Sequence, residues 1–245
     1  MNKTTLIELK QADSTNAYLK NLLSSEILPE GIVVLAKDQT NGKGQGANSW
    51  ESEAKKNLTF SLLLKPEFLP ADKMFLISKV VSLGIVDYLN SLNKKFTIKW
   101  PNDIYYLDKK IAGILIENQL LGNKLNYSII GIGLNVNQEL FYSDAPNPMS
   151  LKNIFHKEFN LPEMLANIIS QINIWYEILQ DGWFDKINDS YFNDLYRNTG
   201  FYDFTAENET FHAKIKSIEE DGQMVLKTTK GELRKFYFKE VEFVI

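Results

Sequence analysis

A chain of 245 residues, 44% hydrophobic and 24% charged, can bury a sizeable core and has the composition of a soluble globule. With 27 Lys and Arg against 31 Asp and Glu the net charge is −4, which gives no general footprint for nucleic acid or an anionic membrane. Cysteine is absent, excluding disulfides, thiolate metal sites and cysteine nucleophiles, and the two histidines, His156 and His212, read as ordinary surface or core residues.

In chain order, "TLIELKQADSTNAYLKNLLSS" predicts a short strand and then a helix, with Asp13, Ser14 and Thr15 as N-cap residues and Tyr18, Leu19, Leu22 and Leu23 as its apolar stripe. "GIVVLAKDQT" predicts a buried strand running into a glycine loop, and "NLTFSLLLKP" a second strand leaving it. "ADKMFLISKVVSLGIVDYLNSL" has helical spacing, with Asp72 near its start. "FTIKWPNDIYYLDKKIAGILIENQL" predicts one hairpin turning around Leu107–Lys109, and "KLNYSIIGIGLNVNQ" a further strand. "FNLPEMLANIISQINIWYEILQDG" is a long helix, with Pro162 in its first turn and Gly182 at its end. From about residue 199 short alternating strands follow, broken at Asp221-Gly222 and Lys230-Gly231, which suggests a small β-barrel over 199–245 appended to an α/β domain over 1–198. No segment approaches the roughly 20 apolar residues of a membrane span. The N-terminus has no secretion-signal core, so the cytoplasm is the expected compartment.

Three stretches carry candidate chemistry. "QTNGKGQGANSW", residues 39–50, contains the formal dinucleotide pattern G-x-G-x-x-[GA], with Glu67 placed as a ribose acid. The ten residues "NSWESEAKKN" are too short and polar for the crossover helix a parallel sheet needs, which disfavours a nicotinamide oxidoreductase. A P-loop fails because Gly44, not Ser or Thr, follows Lys43. In "KWPNDIYYLDKKIAGILIE", Pro101 within a strand implies an edge or a bulge that aims Asn102 and Asp103. Gly113 leaves a gap three residues after Lys110. In "GIGLNVN", Gly131 and Gly133 share a face, with Asn135 two residues on. Each stretch alone also fits a bland reading: a mobile hairpin connection, a solvated turn, or close helix packing.

Taken together with "DSTN", the order and spacing of these stretches over about residues 10–137 resemble the biotin protein ligases, and the β segment is similar to their SH3-like C-terminal domain. The resemblance implies a mixed α/β (α+β) fold with a largely antiparallel sheet flanked by helices, like class II aminoacyl-tRNA synthetases. It also implies a monofunctional ligase, because the sequence opens almost directly on the catalytic part, without the DNA-binding domain of repressor-type members. The implied reaction joins biotin and MgATP into biotinyl-5′-AMP and then biotinylates a lysine of a biotin carboxyl carrier domain.

By that resemblance Lys110, Asp103 and Lys43 are catalytic. Biotin contacts fall to Ser14, Thr15, Asn16, Gln39, Gly42, Lys43, Gly44, Gln45, Lys110, Gly113, Gly131 and Gly133, and nucleotide contacts to Lys43, Asn48, Trp50, Lys99, Asn102, Lys110 and Asn135. Magnesium would come on the ATP phosphates, with Asp103 a further candidate. A carboxylate about 4 Å from a phosphate charge costs on the order of 4 kcal/mol at an effective dielectric near 20, so a lysine between them is a physical requirement. The acceptor lysine, with pKa near 10.4, is neutral in about one molecule in 2,500 at pH 7, equivalent to roughly 4.6 kcal/mol.

Family loops read close to G-R-G-R-x-G-R-x-W, whereas this one has Lys43, Gln45, Gly46, Ala47 and Asn48. The missing arginines predict a weaker hold on the adenylate, and the glycine content with no apolar anchor before Trp50 predicts a loop that is disordered without ligand. A lipoate or octanoate ligase or transferase and a non-catalytic biotin-binding module stay as alternatives, and a homodimer pairing through the strand around Ser128–Ile132 is left open.

Overall fold

The computed structural model describes residues 4–46, 48–143 and 145–245; Ala47, singled out in the loop, lies outside them. Among the described residues one sheet holds β1 (Thr5–Leu9), β2 (Ile32–Ala36), β3 (Leu58–Leu64), β4 (Phe96–Lys99), β5 (Asp103–Tyr106), β6 (Lys109–Leu121) and β7 (Lys124–Leu134). Its order is β1-β2-β3-β7-β6-β5-β4. Only β1 and β2 run parallel, and the other neighbours are antiparallel. The expected mixed, largely antiparallel sheet is present. The antiparallel β2–β3 pair also rules out a parallel crossover at the glycine loop.

Every residue of β2 and β3 is buried, because both faces of this part of the sheet are covered. Val33, Leu35, Phe60, Leu62 and Ile132 point into the main core with α2 (Phe75–Asn90) and α4 (Leu161–Gln180). Ile32, Val34, Leu63 and Ile129 point the other way and pack with Leu19 of α1 (Thr15–Ser25). This is the period-2 alternation of a strand, with apolar residues at both phases. Helices α2 and α4 approach closely because Gly84 has no side chain: a Cβ there would stand 2.7 Å from the Ile172 backbone. Short helices α3 (Leu151–Phe155) and α5 (Phe184–Asn193) complete this layer.

The stretch read as one hairpin is two. Pro101 lies in the turn between β4 and β5, where Lys99 pairs with Asp103, so the turn and not a strand bulge aims Asn102. The ladder does slip further on: Ile104 pairs with Ala112 but Tyr105 with Lys110, which places a bulge beside that lysine. Strand β7 pairs with β3 on one side and β6 on the other through Ser128–Ile132. Those backbone groups are therefore already used; the sheet ends at β1 and β4, and the β4 edge is bridged at Ile98 by Asp194 and Tyr196.

The C-terminal part forms an antiparallel sheet of β8 (Tyr202–Ala206), β9 (Glu209–Ile218), β10 (Met224–Thr228), β11 (Leu233–Phe236) and β12 (Glu242–Phe243), in the order β11-β10-β9-β8-β12. The topology is compatible with an SH3-like module. It is tied to the larger part by specific bonds. Trp100 Nε1 donates to Gly222 O at 2.9 Å, Arg197 Nη1 donates to Val244 O at 2.7 Å, and Lys73 pairs with Glu220 at 3.2 Å.

Lys79, 2% exposed on α2, is the exception in this core. Its Nζ donates to Asn188 Oδ1 at 2.8 Å and lies about equally far from the Phe75 and Tyr191 rings, at 5.5 and 5.6 Å. Burial lowers its pKa to about 8, against the attraction of Glu220 and Glu219. The unfolded chain therefore binds the extra proton between about pH 8 and 10.5, and stability rises with pH through that window. Lys79→Met is expected to raise stability by about 2 kcal/mol at pH 7 and to flatten that rise. Urea unfolding at pH 7 and pH 10 checks both, and a destabilised variant at pH 7 would contradict the assignment.

Candidate functional site

The face of the sheet that carries α1 changes texture partway along. Behind α1 it presents Val34, Leu63 and Ile129; past the helix N-terminus the same face presents small residues in two rows. Thr59 pairs with Gly133, Gly133 with Gly113 and Gly113 with Asp103. One step along, Ser61 pairs with Gly131 and Gly131 with Leu115. A hollow results, closed at one end by the start of α1, roofed by the glycine loop and flanked by Phe238 of the C-terminal sheet. It encloses about 770 Å³, counting its open mouth.

Most of the expected residues meet in this hollow: Ser14, Thr15, Asn16, Gln39, Lys43, Gly44, Gln45, Asn48, Trp50, Asn102, Asp103, Lys110, Gly113, Gly131 and Gly133 all line it. Gly42 stands behind the loop, where a Cβ would come within 2.5 Å of Trp50 O and 2.7 Å of Gln39 Nε2. Lys99 and Asn135 fall outside the lining. Lys99 places its ammonium over the Tyr105 and Phe243 rings at 5.4 and 4.9 Å, and burial holds its pKa below the usual lysine value although Asp103 opposes the shift. Asn135 is 2% exposed; it donates to Met149 O at 3.2 Å, while its Oδ1 is buried without a partner. Its backbone N–H donates to Ile111 O at 2.9 Å, so it braces the segment behind Lys110.

The closed end of the hollow is neutral and polar. Ser14 caps α1, its hydroxyl accepting from Ala17 N, which leaves Thr15 and Asn16 as the first residues of the helix. Gln39 Oε1 accepts from the Thr15 N–H at 3.0 Å. Asn16 Nδ2 donates to Glu117 Oε2 at 2.9 Å, and Lys20 stands 3.7 Å from the same carboxylate. Ser61, fully buried in β3, lies 2.6 Å from Asn16 Oδ1 and 2.7 Å from Thr15 Oγ1. Gly131 serves Asn16 here, because a Cβ would stand 2.5 Å from Asn16 Oδ1.

The other end carries charge and an aromatic ring. Lys110 Nζ pairs with Asp103 Oδ1 at 2.7 Å, both about a quarter exposed, and lies 5.7 Å from the centre of the Trp50 ring. The Lys110 backbone is clamped: its N–H donates to Asn147 O at 3.0 Å and its C=O accepts from Met149 N at 2.9 Å. Trp50 lies across the strands, since a Cβ on Gly133 would stand 2.3 Å from its Cε2 and one on Gly113 would stand 3.0 Å from its Cζ3. Its Nε1 is buried against Gly133 without a partner. The loop above is a narrow hairpin, with Gly44 N–H donating to Asn48 O at 2.7 Å and Trp50 N–H to Gly42 O at 2.8 Å. Gln45 Oε1 accepts from Asn102 Nδ2 at 3.3 Å, and Asn102 also donates to Ile114 O.

Sequence reading missed Ser61, Glu117 and Phe238. Ser61 carried a signal in hindsight, as a polar residue within the apolar run of β3; nothing local marks Glu117 or Phe238. Among the described residues no three His, Cys, Asp or Glu side chains gather to hold a metal, and Asp103 is the one carboxylate in the lining.

A neutral polar pocket joined to a lysine, a glycine loop and an aromatic face defines a site for an uncharged polar head group and an anionic tail. The chain belongs to the biotin/lipoate A/B protein ligase family, whose model matches residues 8–135. It is 29% identical over 229 residues to the bifunctional ligase/repressor BirA of Bacillus spizizenii, covering 90% of this chain and 68% of that protein. It is 30% identical over 132 residues to the biotin–[acetyl-CoA-carboxylase] ligase of Mycobacterium tuberculosis, covering 52% and 48% of the two chains. The biotin protein ligase of Aquifex aeolicus, solved in complex with biotin and ATP, superposes with a TM-score of 0.81 at 26% identity over 98% of this chain and 99% of that one.

Gly133→Ala tests the seat of Trp50. The protein is expected to stay folded while losing about 1–3 kcal/mol, because the methyl and the seated ring cannot share the space. Its emission difference against a Gly133→Ala/Trp50→Phe double variant should show an indole shifted to the red by water. An unshifted Trp50 component would show that the ring does not rest on these strands.

Proposed function

We propose that this protein is a biotin protein ligase that activates biotin with ATP and transfers it to a lysine of a carboxylase carrier domain. The observation that carries the reading is the junction at Lys110, where the neutral pocket meets the glycine loop and Trp50. In the first step a biotin carboxylate oxygen bonds to the α-phosphorus of ATP and the bond to the β-phosphate bridge breaks, releasing pyrophosphate. In the second step the carrier amine bonds to the acyl carbon, AMP leaves and the amine loses a proton.

Ser14, Thr15, Asn16 and Gln39 offer donors and acceptors to the ureido head of biotin, and their mutual bonds fix them before ligand arrives. The fit extends to the nucleotide side: Lys43 and Gly44 of the loop line the hollow, and Trp50 and Phe238 supply aromatic surface. Magnesium, entering on the ATP phosphates, would add positive charge there. The chain's own contribution is Lys110 and Lys43, whose ammonium groups offset repulsion between carboxylate and phosphate. Asp103 holds Lys110 by the ion pair and faces the point where an incoming amine must arrive. Residues 1–198 would form the catalytic part and 199–245 the module that walls the nucleotide side.

Incubation with biotin, MgATP and a biotin-accepting carrier domain should raise the carrier mass by one biotin less one water. No increase, or an increase only with lipoate or octanoate in place of biotin, would sink the reading. A binding module would take up biotin without releasing pyrophosphate. Lys110→Met should slow adenylate formation by about 100-fold or more while biotin binding alone changes little, in line with the loss of one preorganised electrostatic contact. Undiminished adenylate formation would remove Lys110 from the proposed role.

A further inference from the structure

Lys239 lies in the turn between β11 and β12, which Glu240 N–H closes on Tyr237 O at 3.1 Å. Its φ is 71°, in the left-handed region that favours glycine, yet the residue there is a lysine. Its side chain leaves its own module and reaches the glycine loop. A Cβ built on Gly46 would stand 2.4 Å from Lys239 Nζ and 3.4 Å from its Cε, and Gly46 is itself left-handed at φ 71°. The neighbouring Phe238 lines the hollow and packs edge-on against Trp100, with ring centroids 6.4 Å apart. Lys239 enters none of the ion pairs formed among the described residues, so its charge is not assigned to a carboxylate.

We propose that Lys239 is a phosphate-binding cation delivered to the glycine loop by the C-terminal module, supplying charge that Gln45 and Asn48 lack. The proposal rests on the ATP-dependent ligase reading and deepens it. Three observations converge. The loop positions beside Gly46 are neutral, and Gln45 turns its carbonyl oxygen toward Asn102. The ammonium sits beside the bare backbone of Gly46, one residue from Gln45 of the lining, so a phosphoryl group beneath the loop would meet its charge. The cation is carried on a module pinned by Trp100 to Gly222 and by Arg197 to Val244, which makes its position independent of loop motion.

Lys239→Gly separates function from structure, because glycine suits φ 71° while removing the ammonium. The melting temperature should be equal or higher and biotin affinity without nucleotide should stay within about twofold. Release of biotinyl-5′-AMP should quicken about tenfold and the KM for ATP should rise several-fold, the scale of one charge-assisted contact. Lys239→Arg should keep near-native retention. Adding Gln45→Arg to Lys239→Gly should recover it, since the second charge returns through the loop. Native release from Lys239→Gly would overturn the proposal, and so would a lowered melting temperature with a matching fall in biotin affinity, which would mark a structural lysine. Failure of the native protein to release pyrophosphate from biotin and MgATP would instead fell the ligase reading, and this proposal with it.

Discussion

The indole of Trp50 lies across Gly113 and Gly133, and the rest of the cleft is arranged around that contact. A single methyl on Gly133 would enter van der Waals space by more than an ångström, so the two strands must be bare there for the ring to lie flat. With the ring seated, the loop that carries it folds down, because Trp50 N–H bonds to Gly42 O and closes the hairpin at its base. The loop then brings Lys43 and Gln45 over the hollow, and the ring itself comes to lie 5.7 Å from the Lys110 ammonium. One steric allowance in the sheet therefore positions a roof, an aromatic surface and the cation of Lys43 beside Lys110.

The same device is used once more at the polar end. Gly131 leaves room for Asn16, and the space is occupied by a side chain of the protein rather than kept for a ligand. Asn16 is then locked by Ser61 and Glu117, on two different strands of the sheet. The polar groups at the start of α1 are thus ordered by the sheet they face as well as by their own helix. Rigid placement of this kind lowers the cost of binding a small polar head group, since its partners have no orientation left to lose.

Much of the fold was legible because the decisive patterns are local. The helical period of 75–90, Pro162 at the start of α4, and the apolar runs at 32–36 and 58–64 each specify an element within a few turns of chain. The site was legible to the extent that its residues sit in compact stretches, as Ser14–Asn16 and Asn102–Lys110 do. Failures came where meaning depends on distant partners. Pro101 fits a strand bulge or a turn equally well until β4 and β5 are seen to pair across it. Phe238 lies 188 residues from Trp50, and only the docking of the C-terminal sheet brings it to the cleft.

Charge explains why these pieces belong together. The chain as a whole carries −4, yet the lining of its hollow contains Lys43 and Lys110 against Asp103 alone among the described residues. An acidic protein with a locally positive, partly desolvated cleft draws anions to that one place, and its surroundings discourage them elsewhere. The ion pair at 2.7 Å keeps Lys110 from presenting its full charge before substrates arrive. When a carboxylate and a phosphate enter together, their combined charge competes with a single aspartate for the same ammonium. In the proposed ligase reading the ammonium would turn toward those anions, and Asp103 would then stand beside the reaction centre with less of its charge compensated. In the ligase reading, a positively charged amine arriving from the carrier meets that carboxylate, so completion of the first step prepares the electrostatics of the second.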